Sequence, residues 1–239
     1  MTRPTGAMLV IGDEILSGRT RDSNTHYLAT QLTAHGVDLQ EARVVSDDRA
    51  AIIAAVQALS AAWDVVFTSG GIGPTHDDIT AEAVAGAFHV PISVRDDARA
   101  ILQAHYDRQG LELNDARLRM ARIPDGATLI DNPVSAAPGF TLRNVHVMAG
   151  VPKIFEAMVA SVLPTITGGA PLLSRSVRVA RGEGDIAEVL TGMVAQHPEL
   201  SFGSYPFQRD GKFQVNVVVR GTDEAALDAA EAALIAAFP

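Results

Sequence analysis

From the start of the chain to about Gly168, short β-rich runs alternate with longer Ala- and Leu-rich stretches of helical period, and this alternation restricts the fold more than any other feature. Such a rhythm builds βαβ units and a largely parallel sheet. "AMLVIG" reads as a strand buried on both faces, and "SNTHYLATQLTAHG" as the helix after it, with Ser23 or Asn24 as N-cap and Gly36 as its stop. "ARVVS" is the second strand. "DDRAAIIAAVQALSAAW" is a helix capped by Asp47 or Asp48, and "DVVFTSG" is a third strand. Helices are expected over "DITAEAVAGAFHV" and "DDARAILQAHYDRQG", strands over "ATLIDN" and "NVHVMAG", and a Pro/Gly-rich loop, "PVSAAPGF", between those two strands. A last helix of this part begins at Pro152, a favoured first helical position, and runs to Pro164. After the linker-like "TGGAP" the order changes to β-α-β-β-α. A hairpin loop at "QRDG", with Asp210-Gly211, joins its second and third strands. The chain therefore divides into an α/β domain over 1–168 and a small α+β domain over 169–239.

Composition narrows the function. The 239 residues are 47 % hydrophobic, enough for a packed core, and carry a net charge of -9 with no Lys/Arg-rich run. That charge argues against nucleic acid and anionic membrane surfaces, which need a basic footprint. No apolar run approaches the ~20 residues that cross a bilayer, and none of signal-peptide length precedes Asp13. The absence of cysteine removes disulfides, thiolate metal sites and a cysteine nucleophile, and fits a reducing compartment. A cytoplasmic protein is expected.

In an open parallel sheet, ligands bind outside the carboxyl ends of the strands. Three acidic pairs fall there: Asp13-Glu14 after "MLVIG", Asp47-Asp48 after "RVVS", and Asp77-Asp78 in "DVVFTSGGIGPTHDDIT". The last stretch reads as a phosphate-binding loop with anions in it. A glycine loop and helix N-terminus would take phosphate oxygens, and the aspartates a hard cation that bridges to them. The plainer alternative is helix capping, since "THDD" fits a capping box with Thr75 as cap, and Asp47 and Asp48 stand where caps belong. "GGIGPT" lacks both the third glycine of a dinucleotide fingerprint and the Gly-Lys-Ser/Thr of a Walker loop. Seven scattered histidines make no zinc motif, with only His76 beside the acidic loop, and no G-x-S-x-G elbow occurs. Lys153 is read as a solvated lysine and the terminal Ala-rich helix as core packing.

"IGDEILSG" with "DSN" downstream, then "SGGIGPTHDDIT", "NP" and "APGF", resemble the molybdopterin-binding-type domain shared by molybdenum-cofactor biosynthesis proteins, the competence/damage-inducible protein A (CinA) family and eukaryotic FAD synthase. "GSYPF" and the small tail resemble the CinA branch in particular. The resemblance implies a three-layer α/β sandwich with a mostly parallel sheet, self-association, and a pocket for a phosphate-containing pterin or dinucleotide. It further implies a metal-dependent pyrophosphatase acting on ADP-ribose-like dinucleotides. The alternatives it leaves open are a non-catalytic molybdopterin or nucleotide binder and a pterin adenylyltransferase. Carried over by position, Asp77 and Asp78 are the catalytic candidates. Asp13, Glu14, Asp77 and Asp78 are the ligands for Mg²⁺, Mn²⁺ or Co²⁺. Gly12, Asn24, Ser69, Gly70, Gly71, Gly73, Thr75, Pro138 and Gly139 are the phosphate or substrate contacts. No amidohydrolase domain follows within these residues, so deamidation is not expected. Three positions depart from the family pattern: Ser135 for a glycine, where a side chain is expected to narrow the pocket, Ala149 for a proline, and Ile154 for a glutamate.

Overall fold

The computed structural model describes residues 3–209 and 211–238; Asp210, and with it part of the expected hairpin loop, lies outside them. The chain divides into two compact units, residues 1–169 and 170–239. The first unit runs β1 (Thr5–Ile11), α1 (Asp13–Leu16), α2 (Asn24–His35), β2 (Asp38–Val45), α3 (Arg49–Ala62), β3 (Val65–Ser69) and α4 (Thr80–Ala87). It continues through β4 (Ile92–Val94), α5 (Asp96–Arg108), α6 (Asp115–Leu118), β5 (Arg122–Pro124), β6 (Thr128–Ile130), β7 (Gly139–Leu142), β8 (Val145–Met148) and α7 (Pro152–Val162). Its main sheet has the order β2-β1-β3-β8-β7-β6. The first four strands are parallel; β7 pairs antiparallel with β8, and β6 antiparallel with β7, so only β7 runs against the rest.

The double-sided burial of β1 follows from its lack of polar residues between Gly6 and Ile11. Ala7, Leu9 and Ile11 pack with Ile52, Val56 and Leu59 of α3 and Val84 of α4. Met8 and Val10 pack on the other face with Leu28 and Leu32 of α2 and with Phe155, Met158 and Val159 of α7. Because a strand alternates faces at every residue, one apolar strand buries two helical layers at once, giving the three-layer sandwich. The second unit pairs β9 (Leu173–Val179), β10 (Ser201–Arg209) and β11 (Lys212–Gly221) antiparallel in the order β10-β11-β9. Its apolar positions, such as Val177, Val215, Val217 and Val219, pack with Ile186 of α8 (Glu183–Gln196) and Leu227 and Leu234 of α9 (Glu224–Ala237).

Local differences from the sequence reading have physical causes. The "PVSAAPGF" loop ends in strand β7, whose Gly139 admits the neighbouring strand; a Cβ there would stand 2.4 Å from the Val147 carbonyl oxygen. The short β4–β5 pair and the one-turn helices α1 and α6 are too brief to show a period. At α2 neither Ser23 nor Asn24 caps through its side chain; Asp22 Oδ1 accepts from the Asn24 and Thr25 amides instead. At α3 the cap is Asp48, which accepts from the Ala51 amide at 2.8 Å. Among the described residues no helix is long and apolar enough to cross a membrane.

One buried titratable group ties this fold to pH. His146, on β8, is 7 % exposed, lies 5.2 Å from the Phe67 ring and meets Thr141 Oγ1 through Nδ1 at 2.8 Å. Burial lowers its pKa from 6.5 to about 4, so the folded chain keeps it neutral. The unfolded chain takes up the proton first as pH falls. Stability is therefore lost between about 6.5 and about 4, by roughly 3 kcal/mol in total for this group. His146→Gln should flatten that part of the stability profile, followed as the urea midpoint of the first unit against pH; an unchanged slope would refute the assignment.

Candidate active site

Strands β1 and β3 are parallel neighbours, and the chain leads from β1 into α2 on one face and from β3 into α4 on the other, so their carboxyl ends border the switch point where ligands of such sheets sit. A cleft of about 510 Å³ opens there. The loops after β1, β2, β3 and β8 supply its walls, through Gly12 and Glu14, through Asp47, through Gly70 to Pro74 with Asp77 and Asp78, and through Ala149 to Pro152 with Ile154 respectively.

The loop after β3 depends on glycine at two places. Gly70 has φ +110° and a Cβ there would stand 2.2 Å from the Ile11 carbonyl oxygen; Gly71 has φ +66° and its Cβ would meet Thr80 Oγ1 at 2.2 Å. Thr80, fully buried at the first position of α4, donates its hydroxyl to Gly70 O at 3.0 Å and its amide to Gly71 O at 2.9 Å. The helix start thus grips the glycine loop from behind, two residues past the Asp78 start read from the sequence. Among the described residues nothing in the protein accepts from the amides of Gly71, Ile72 or Gly73. Three successive open N–H groups in a glycine turn are a recurring anion cradle.

The carboxylates are placed by the same backbone. Asp78 Oδ2 accepts from the Thr75 amide at 2.8 Å and the Thr75 hydroxyl at 2.5 Å, closing the turn ahead of α4. That same hydroxyl is the main influence holding the exposed Asp77 below the usual carboxylate range, joined by its own amide and by His76. A Cβ at Gly12 would lie 2.6 Å from Glu14 Oε1, and one at Gly73 would lie 2.6 Å from Asp78 Oδ2, so each glycine leaves the space its acid fills. Asp47 accepts from the Asp13 amide at 2.9 Å. Burial pushes the Asp47 carboxyl up; that hydrogen bond opposes the shift, and the charges of Asp13, Glu14 and Asp77 add to it.

The sequence candidates separate accordingly. Gly12, Glu14, Gly70, Gly71, Gly73, Asp77 and Asp78 line the cleft. The Asp13 side chain does not, its contribution being the backbone donor to Asp47. Asn24 and Ser69 border an adjoining recess of about 60 Å³ and serve as a tie: the Asn24 amide donates to Ser69 Oγ at 2.7 Å and Gly150 O at 2.8 Å. Thr75 holds Asp78, Pro138 borders a small notch behind the glycine loop, and Gly139 is spent in β7. Ser135 does line the cleft, but its Oγ accepts from Asn132 Nδ2 at 2.7 Å, so the hydroxyl is turned into its own loop. Asp47, Thr20 and Asn132 are lining residues the sequence reading did not select. For Asp47 the signal was present in its position straight after a strand, but helix capping was the better explanation from sequence alone.

The donors offered are hard oxygens, the chemistry Mg²⁺ and its relatives accept. Among the described residues no three His, Asp or Glu side chains converge closely enough to enclose an ion. A metal here fits only as one held by one or two carboxylates that completes its shell with water and phosphate, the usual Mg²⁺ arrangement.

A glycine loop and carboxylates at the switch point of a three-layer α/β sandwich define a small-molecule-binding domain of the doubly wound type. Residues 7–168 match the family described as probable molybdopterin binding domain, and residues 171–239 match the middle domain of FAD synthase. The chain belongs to this molybdopterin-binding-domain family, within its CinA-like branch. The solved structure of CinA from Thermoplasma acidophilum is 34 % identical, covers 68 % of this chain and 97 % of that one, and superposes with a TM-score of 0.63. A CinA-like protein of Myxococcus xanthus is 35 % identical over 82 % of this chain and 50 % of its own length. A probable FAD synthase of Caenorhabditis elegans is 32 % identical over 95 % of this chain and 48 % of its own. The chain spans about half the length of these two relatives.

The burial of Asp47, with like charges beside it, has a consequence for stability. A folded-state pKa raised above the ordinary value means that folding disfavours the charged form at every pH above it, and that the cost vanishes below the unfolded value of 3.8. Asp47→Asn should therefore raise the unfolding midpoint at pH 7 and leave it unchanged near pH 3. A variant less stable at pH 7 would contradict a charge held there at a cost by burial and its like-charged neighbours.

Proposed function

We propose that the cleft hydrolyses the phosphate–phosphate link of an ADP-ribose-like dinucleotide with the help of a divalent metal. The observation that supports this reading most is the cradle of Gly71, Ile72 and Gly73 amides opening beside Glu14, Asp47 and Asp77 in one cleft. The amides suit the oxygens of one phosphate, whose charge they would offset without rearrangement. Asp77, ionised at neutral pH, and Glu14 or Asp47 from the facing loops are the residues that would hold the ion. When bound, such an ion polarises a phosphoryl oxygen and lowers the pKa of a bound water. Asp47, with its raised pKa, suits a group that takes the proton of the attacking water. Water adds across the P–O–P link: its oxygen bonds to one phosphorus, the bridging oxygen leaves with the other, and AMP and a sugar phosphate result. The Ala149, Val151 and Ile154 wall offers an apolar surface to a base or sugar.

Ile154, apolar where relatives are expected to carry glutamate, favours a second reading: binding of a pterin or nucleotide without turnover. Purified protein supplied with ADP-ribose, FAD or NAD and Mg²⁺, Mn²⁺ or Co²⁺ should release AMP in a chelator-sensitive manner. Asp77→Asn and Asp47→Asn should each lower kcat/KM at least about tenfold. No release with any metal, alongside measurable nucleotide binding, would decide for the second reading.

A further inference from the structure

Behind the glycine loop lies a notch of about 20 Å³, room for one oxygen-sized atom. It shares Gly71, Gly73, Asp78 and Met120 with the large cleft, so the two meet through the loop. Its far wall carries Arg119, from a single 3-10 turn at Arg119–Ala121. Arg119 Nη2 stands 3.4 Å from the Asp78 carbonyl oxygen, a long contact, and its Nε is buried with no partner. An unpaired guanidinium donor shielded from water costs free energy until an acceptor reaches it. The other cation of the notch, Arg122, is already paired with Glu82. Among the described residues the large cleft contributes no cation at all, while Glu14, Asp47, Asp77 and Asp78 line it.

We propose that the notch is an anion subsite in which Arg119 receives a single phosphoryl oxygen of a nucleoside diphosphate, projecting past the Gly71–Gly73 turn. Resting on the reading of the cleft as a diphosphate site, this assigns the positive charge that site lacks. The subsite selects for phosphate itself, because a notch one oxygen wide admits a phosphoryl oxygen and excludes a ribose or a base. Arg119 thereby fixes which phosphorus stands against the carboxylates, and its contact with the Asp78 carbonyl couples that position to the acidic turn.

The test is calorimetric binding of α,β-methylene-ADP, which lacks the scissile oxygen, in the presence of Mg²⁺, with adenosine as the phosphate-free control. Arg119→Gln should weaken the diphosphate about ten- to a hundredfold, the loss expected for a hydrogen bond to a charged group. It should leave adenosine binding and the thermal midpoint nearly unchanged, and Arg119→Lys should recover part of the affinity. Equal diphosphate affinity in wild type and Arg119→Gln would overturn the subsite while leaving the diphosphate reading of the cleft standing. If wild type binds no α,β-methylene-ADP, inorganic pyrophosphate with Mg²⁺ is titrated next. Arg119-dependent binding of that probe would uphold the anion subsite and sink the nucleotide reading, and no binding of either would sink both.

Discussion

The cleft exists because two backbones approach more closely than any side chain would permit. Gly70 lies against the carbonyl of Ile11, and Gly150 lies in turn against Gly70, so the loops after β1, β3 and β8 are in backbone contact. Thr80 holds that arrangement by donating to the carbonyls of Gly70 and Gly71, and Asn24 holds the far side by bridging Ser69 and Gly150. Both donors are buried, so losing either would leave carbonyl or hydroxyl groups without a partner away from water. The carbonyls are thus spent on the protein and the amides of the turn are left for a ligand. A loop whose carbonyls were open instead would favour cations.

The acids exploit the same geometry. Glu14 folds over Gly12 and Asp78 over Gly73, each in space that a methyl group would fill. Hydrogen bonds pin Asp78 through Thr75 and Asp47 through the Asp13 amide, so their charges are held in the site rather than spread into solvent. Concentrating like charges this way works against folding, which is the usual relation between a prepared site and its scaffold. An anionic ligand entering such a site needs compensation from open amides, from a cation it brings, or from a guanidinium at its edge. The structure contains the first and the third.

Much of the scaffold was legible in the sequence because it rests on periodicity. The uninterrupted apolar run of "AMLVIG" announces a strand with both faces covered, and the Ala-rich stretches around it announce the helices that cover them. The loops were harder to read. "THDD" reads as a helix start, whereas it forms a turn of its own and α4 begins at Thr80, because Asp78 satisfies Thr75 and not a helical amide. The glycine loop and the acids after β1 and β3 were legible from their place at strand ends. What the sequence could not order was which member of the acidic pairs after β1 and β2 faces inward. Asp13 and Glu14 are neighbours, and only the one-turn helix after Gly12 turns Glu14 to the cleft and leaves Asp13 to offer its amide. Arg119 was invisible for a different reason: it comes from a short 3-10 turn far along the chain, and nothing in its surroundings marks it.

The departures from the family pattern differ in weight once the contacts are known. Ser135 is absorbed locally: Asn132 donates to its hydroxyl and to the Ala137 carbonyl, while Asn132 Oδ1 accepts from the Val134 and Ser135 amides. Ala136 carries the loop's left-handed residue, at φ +62°, so Ser135 itself need not bend as a glycine would. Ile154 has no such compensation. It stands in the first turn of α7 on the cleft wall, beside Ala149 and Val151, where a carboxylate would face the acids of the other loops. An apolar side chain there leaves one charge fewer at an already crowded edge than the glutamate expected from the resemblance would, and offers an uncharged surface. The acids that line the cleft, Glu14, Asp47, Asp77 and Asp78, all come from the loops after β1, β2 and β3, and the loop after β8 contributes only uncharged groups to it.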